Sequence, residues 1–375
     1  MSLVFIISHT ITQYTTMDSN LYYIIMAGGV GSRFWPASRT VRPKQFLDIL
    51  GIGETLIQQT YNRFIKYTTP ENIYIVTHES YQQHIHDQLP AVKDSQLIYE
   101  PSRRNTAPCI AYAVEKIKAL NPNAILVIAP SDHLILKEDV FIQTVHTAAE
   151  FAAQNDGIIT LGITPTFPST GYGYIQYLET DAVVKKVKMF TEKPPQDVAQ
   201  TFLESGDFVW NAGLFIGSVN SLSDAIREHC SYIYDAFEEI KMYLNTPDEY
   251  EYIRSIYTSF PKDISFDVGI MEKANNVYVI PAAFGWSDLG TWGAVYDTIT
   301  KDANSNVVNA ANAVLHDTKN SIIFAENQKV IFVQGLDNFI VVDSKDALLI
   351  CQKDREQDIK KYVNEIKLTK GHKYL

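Results

Sequence analysis

Apolar residues along this chain come in short continuous blocks separated by polar or helix-spaced stretches. The block at 22–26, YYIIM, runs straight into Gly28, Gly29 and Gly31; an unbroken apolar run ahead of a glycine loop predicts a strand. A helix is predicted over about 54–67, with Leu56, Tyr61 and Phe64 near one face, and a strand over 72–76. Pro108 sits where a first helical turn accepts proline, and Ile110, Val114 and Ile117 follow at helical spacing before a buried-type strand at 124–129. The alternation reaches 157–162 and predicts an α/β domain, a mostly parallel sheet covered by helices.

From about residue 304 the texture changes to short β-type runs, at 321–325, 329–333, 339–342 and 347–351, separated by polar turns. A last helix is predicted over 354–368, with Ile359, Tyr362, Val363 and Ile366 as its apolar stripe. The expected organisation is an N-terminal extension at 1–20, an α/β domain at 21–303 and a mainly β domain at 304–375. The apolar run at 3–7 lacks the basic flank of a signal peptide, and Met17 stands just before the first strand. The first sixteen residues are therefore expected to be dispensable or to reflect a misassigned start. No other segment has the continuous apolar length of a membrane span.

Composition narrows the partners. With 375 residues, 46% hydrophobic and 20% charged, the chain reads as globular and long enough for more than one domain. A net charge of −11 disfavours nonspecific binding to nucleic acid or to an anionic membrane, so a phosphate ligand would need a local basic site. Cys109, Cys230 and Cys351 are too few and too scattered for a disulfide or metal framework, and a reducing cytoplasm is expected.

Such a basic site follows the first strand, where Arg33, Arg39, Arg42 and Lys44 accompany the glycines. Glycines admit positive φ and let backbone N–H groups approach a ligand, so the loop reads as a polyphosphate cradle. It is not a P-loop, which would close on Gly-Lys-Ser/Thr, because Gly31 is followed by Ser32 and Arg33. Nor is it a dinucleotide fingerprint: Phe34 is too large for the close packing of a third glycine, and Asp48 lies beyond Pro36 and Pro43.

Residues 28–47, GGVGSRFWPASRTVRPKQFL, resemble the nucleotide-binding signature of the sugar-nucleotide pyrophosphorylases, and the FWP and PKQFL elements resemble their mannose-1-phosphate guanylyltransferase branch. The resemblance extends over about 21–363 and is weaker after 304. It implies a Rossmann-like nucleotidyltransferase domain with a mixed, mostly parallel sheet, and a small C-terminal left-handed β-helix-like domain. The isomerase domain that some members carry beyond this point would need more chain. The implied reaction forms GDP-mannose and pyrophosphate from GTP and α-D-mannose 1-phosphate, with Mg²⁺ as cofactor, by in-line attack of the sugar phosphate on the GTP α-phosphorus. No Ser-His or Cys-His nucleophile is needed, because the sugar phosphate is itself anionic at neutral pH.

By the same resemblance, Ala27, Gly28, Gly29, Gly31, Asn105 and Thr106 lie at the nucleotide, while Arg33 and Lys44 hold its triphosphate. Asp132 in IAPSDH and Asp288 in GWSDLGTW are the implied Mg²⁺ carboxylates. Gly173, Glu192 and Asn211 are implied at the mannose hydroxyls and Lys193 at the 1-phosphate, with Asp267 of FDVGIMEK as a secondary candidate. Glu100 is expected to read guanine, whose two adjacent donors suit one carboxylate. On the residues alone, blander roles stay open: Asn105 and Thr106 cap a helix starting at Pro108, Asp132 and Asp288 are turn residues, and Glu192 with Lys193 is a surface pair. His133, His84 and His86 are expected to pack or hydrogen-bond rather than catalyse. Expected partners are the two substrates and two products, with a homodimer allowed and neither nucleic acid nor membrane. A different nucleotide and hexose 1-phosphate pair, or an inactive sugar-nucleotide sensor on the same scaffold, are the alternatives.

Overall fold

The computed structural model describes residues 19–326 and 328–375. The segment up to residue 18, including the run at 3–7 and Met17, lies outside the described residues.

Among the described residues, eleven strands precede residue 300: β1 (Leu21–Ala27), β2 (Ile73–His78), β3 (Leu97–Glu100), β4 (Ile125–Pro130), β5 (Leu134–Ile135), β6 (Ile158–Ile163), β7 (Gly173–Tyr177), β8 (Lys185–Glu192), β9 (Phe208–Ser218), β10 (Val277–Ala282) and β11 (Trp286–Ser287). Nine of them form one sheet in the order β3-β2-β1-β4-β9-β6-β10-β8-β7. β1 pairs in parallel with β2 and β4, β2 with β3, and β6 with β10. β9 runs antiparallel between β4 and β6, and β8 runs antiparallel to β10 and β7. The expected mixed sheet, with most strands pointing one way, is present. The 11-residue antiparallel β9 at its centre has no counterpart in a simple βαβ reading.

The unbroken apolar block of β1 reflects cover on both faces. Ile24 packs into one hydrophobic cluster with Ile110, Val114 and Ile117 of the helix Thr106–Leu120, while Tyr23 and Ile25 pack into another with Phe141, Val145 and Ala149 of the helix Glu138–Gln154. The helix expected from Pro108 starts two residues earlier, with Asn105 as its cap, and Pro108 occupies its first turn, where an N–H would lack an intrahelical partner. No helix among the described residues is long and apolar enough to cross a membrane.

The C-terminal part holds β12 (Val307–Asn309), β13 (Ala313–His316), β14 (Ile322–Ala325), β15 (Ile331–Gln334), β16 (Phe339–Asp343) and β17 (Leu348–Gln352). β12, β14 and β16 stack in parallel, as do β13 and β15, in a β-helix-like coil, and β17 closes it antiparallel to β16. The last helix begins as a tighter 3-10 segment, Lys353–Asp358, and becomes α-helical only over Ile359–Lys370. One apolar cluster joins this coil to the glycine-rich loop: Phe34 and Trp35 pack with Trp292, Ile322, Phe324, Ile340 and Ile359.

Candidate active site

The glycine loop leaves β1 at the carboxyl end of the parallel strands, where open α/β sheets bind ligands. Gly31 has φ +65°, and a Cβ there would stand 2.6 Å from Cβ of Lys44. Only glycine therefore lets the 3-10 turn Ser32–Phe34 close beside Lys44. Lys44 is 3% exposed; its Nζ donates to the main-chain oxygen of Asp288 at 2.7 Å and pairs with Oδ2 of Asp132 at 3.0 Å. Burial opposes ionisation of Asp132, but the Lys44 ammonium and the neighbouring His133 outweigh it and hold the carboxyl below its ordinary pKa. Oδ1 of Asp288 accepts from the Tyr172 hydroxyl at 2.9 Å and from the Gly290 N–H at 3.0 Å.

Lys44, Asp132 and Asp288 thus meet at one point, although 244 positions separate the first from the last. No group of three or more His, Cys, Asp or Glu among the described residues is arranged to hold a metal ion. Asp132, held ionised beside the ammonium, and Asp288, which gives that ammonium its main-chain oxygen and turns its carboxylate to Tyr172, nevertheless suit Mg²⁺, which uses one or two carboxylates and fills its remaining positions with phosphate and water.

Glu100 ends β3 and is 6% exposed. Burial pushes its carboxyl up to about 7, countered by the Tyr257 hydroxyl, which donates to Oε1 at 3.0 Å, and by Cys109 and Arg103. A Cβ on Gly28 would lie 3.7 Å from its Oε2, so the carboxylate borders the glycine loop. Nε of Arg103 donates to the Gly28 carbonyl at 3.2 Å. Asn105 takes φ +68° and caps Thr106, whose hydroxyl accepts from the Phe266 N–H at 2.8 Å. Arg33 is exposed and turned to the C-terminal segment, its Nε donating to Oε1 of Gln357 at 3.1 Å.

The residues expected at the sugar form a second cluster. Gly173 opens β7 opposite Glu192, the last residue of β8, and a Cβ on Gly173 would stand 2.7 Å from Oε2 of Glu192. Lys193, at φ +47°, pairs with the Glu192 carboxylate. On β9, Oδ1 of Asn211 accepts from the Thr160 hydroxyl at 2.7 Å and the Gly213 N–H at 3.1 Å, while its Nδ2 donates to Oδ1 of Asp267 at 2.8 Å. Asp267, pushed up to about 7 by burial and by Glu192, also begins the π-helical turn Asp267–Met271.

Tyr172 bridges the two clusters: its hydroxyl reaches Asp288, and its carbonyl accepts the Lys193 N–H at 3.2 Å. The TGYGYI motif marks the loop but not this role, which depends on a partner 116 positions away. His133 accepts from the Trp286 indole at 3.2 Å, and burial lowers its pKa, which favours a neutral packing role. His84 stacks on Phe46 and His86 pairs with Asp94.

The chain matches the family model described as nucleotidyl transferase over residues 22–305 and that of a MannoseP isomerase/GMP-like beta-helix domain over 311–366. It is 35% identical over 364 residues to a mannose-1-phosphate guanylyltransferase of Salmonella montevideo, covering 94% of this chain and 75% of that protein. It is 34% identical over 350 residues to the alginate biosynthesis protein AlgA of Pseudomonas aeruginosa, covering 92% and 71%. A Thermus thermophilus structure, described as a mannose-1-phosphate geranyltransferase, superposes with TM-score 0.82 at 28% identity, covering 93% of this chain and 99% of that one. With the glycine loop beside Lys44, Asp132 and Asp288 and the polar cluster joined to them through Tyr172, the chain belongs to the nucleotidyl transferase family, among the mannose-1-phosphate guanylyltransferases.

Proposed function

We propose that this chain makes GDP-mannose and pyrophosphate from GTP and α-D-mannose 1-phosphate in the cytoplasm, with residues 21–303 as the catalytic domain and 304–375 as an accessory domain. The observation that carries the reading is the convergence of Lys44, Asp132 and Asp288 beside the glycine turn, linked through Tyr172 to the Glu192, Lys193 and Asn211 cluster.

Gly28, Gly29 and Gly31 would present backbone N–H groups to the triphosphate, beside Ala27, Asn105 and Thr106, while Arg33 and Lys44 offset its charge. Glu100, as carboxylate, would accept from the guanine ring N–H and amino group. Glu192 and Asn211 would orient the mannose hydroxyls, Gly173 would leave room for the ring, and Lys193 would hold the 1-phosphate. Mg²⁺, bound by Asp132 and Asp288, would neutralise phosphate charge. A sugar-phosphate oxygen then forms a bond to the α-phosphorus as the α–β anhydride bond breaks, and its electron pair leaves with pyrophosphate. The protein supplies alignment of two anions and preorganised positive charge.

Pyrophosphate release is to be measured with GTP, ATP and UTP, each paired with mannose, glucose and fucose 1-phosphates. GTP with mannose 1-phosphate should give the highest kcat/KM. Preference for another pair, or GDP-mannose binding without Mg²⁺-dependent turnover, would overturn the assignment.

A further inference from the structure

The C-terminal segment reaches back to the catalytic loops at two adjacent side chains. Gln357 accepts from Nε of Arg33 at 3.1 Å. Glu356 accepts the Gly293 N–H at 2.6 Å on Oε2, and Thr291 and the Arg33 charge favour its ionised form against burial. A Cβ on Gly293 would lie 2.8 Å from Oε1 of Glu356, so glycine at that position is what lets the carboxylate seat against the backbone. Gly293 and Thr291 follow closely on the loop that starts at Asp288. Around this contact Phe34 and Trp292 pack with ring centroids 4.9 Å apart, and the Trp35 indole donates to the Tyr374 carbonyl at 2.7 Å.

We propose that Gln357 and Glu356 are positioning residues for nucleotide binding, supplied to the catalytic centre by the C-terminal domain. Gln357 holds Arg33 by Nε alone, which leaves the other guanidinium donors outside that bond and reduces the side-chain ordering that binding a triphosphate would otherwise require. Glu356 anchors the backbone at Gly293, a few residues past Asp288, within reach of the Arg33 charge. The inference rests on the assignment of Arg33 to the triphosphate.

The test is a double-mutant cycle on the full chain, read as GTP affinity by calorimetry in the presence of Mg²⁺. Gln357→Ala should weaken GTP binding about threefold to tenfold in the wild-type background and have no effect in Arg33→Ala. Because Gln357 is exposed, its melting temperature should stay within about 2 °C of wild type. Glu356→Ala should raise the Mg²⁺ concentration needed for half-maximal GTP binding, and Glu356→Gln, which keeps an acceptor for Gly293, should restore it. Losses that multiply across Arg33 and Gln357, unchanged GTP affinity in Gln357→Ala, or an unshifted Mg²⁺ requirement in Glu356→Ala would overturn the inference. A wild-type chain that binds GTP yet transfers nothing to mannose 1-phosphate sinks the proposed reaction alone, and the binding cycle still decides this one. A chain that binds no nucleoside triphosphate overturns both.

Discussion

The Tyr172 hydroxyl donates to Asp288 at 2.9 Å while the Tyr172 carbonyl accepts the Lys193 N–H at 3.2 Å, so one residue ties the proposed metal loop to the proposed sugar-phosphate lysine. Tyr172→Phe removes the first link and keeps the ring packed against Trp210 and Trp286. Its kcat should fall about tenfold with little change in melting temperature, as expected when alignment rather than packing is lost. Unchanged steady-state kinetics would remove Tyr172 from the site.

Lys44 sits in a space with no slack, 3% exposed and with Nζ 5.5 Å from the centroid of the Phe34 ring. Lys44→Met should lower kcat about 100- to 1,000-fold, the range seen when one preorganised charge or donor is removed. Lys44→Arg should not rescue it, because a planar fork cannot replace a compact ammonium between Asp132 and the Asp288 carbonyl. Full activity in the arginine variant would mean that charge alone suffices there.

To accept from guanine as proposed, Glu100 must be ionised, yet burial has pushed its carboxyl up to about 7. GTP affinity should therefore weaken as pH falls from about 8 to about 6, while ATP affinity stays flat. Glu100→Gln should erase both that slope and most of the GTP-over-ATP preference in kcat/KM. If the preference survives the substitution, another group reads the base.

Asp267 offers a stability test whose sign follows from its shift. Its folded pKa, about 7 against an ordinary 3.8, means that the folded chain keeps a proton which the unfolded chain releases. That contribution is full below about 4, is lost as pH rises towards about 7, and is flat above it. Asp267→Asn leaves an oxygen to accept from Asn211 and cannot ionise, so its advantage over wild type should grow between about pH 5 and about pH 8. Denaturant titrations at those two values measure it; a wild-type minus variant difference independent of pH would contradict the assignment.

The parallel half of the sheet is legible in the sequence because β1 and β4 are buried on both faces and therefore appear as unbroken apolar runs. The pairing of Lys44 with Asp132 is not legible, since no local pattern links two such distant positions and the resemblance assigns them separately, to the triphosphate and to Mg²⁺. β9 is hidden because VWNAGLFIG carries polar Asn211 in the middle of an apolar run, and that asparagine is buried by bonding Thr160, Gly213 and Asp267, partners that only the folded chain brings together. Asn105 is legible as a cap, but its helix begins at Thr106, because proline is tolerated in the first turn and does not mark which residue of it comes first. Glu356 and Gln357 look like ordinary residues of a surface helix, and their partners lie in loops folded from distant parts of the chain.

β9 lies directly between β4, which leads to Asp132, and β6, with Asn211 near the end of β9 that faces the cleft. Neighbouring strands keep a separation of about 4.8 Å. The spacing between the end of β4, just before Asp132, and Asn211 on β9 is thus measured in strand widths, and hydrogen bonding across the sheet enforces it. A substitution in the loops on either side leaves that spacing where the ladder sets it, so the end of β4 and Asn211 keep their separation while the loops around them vary.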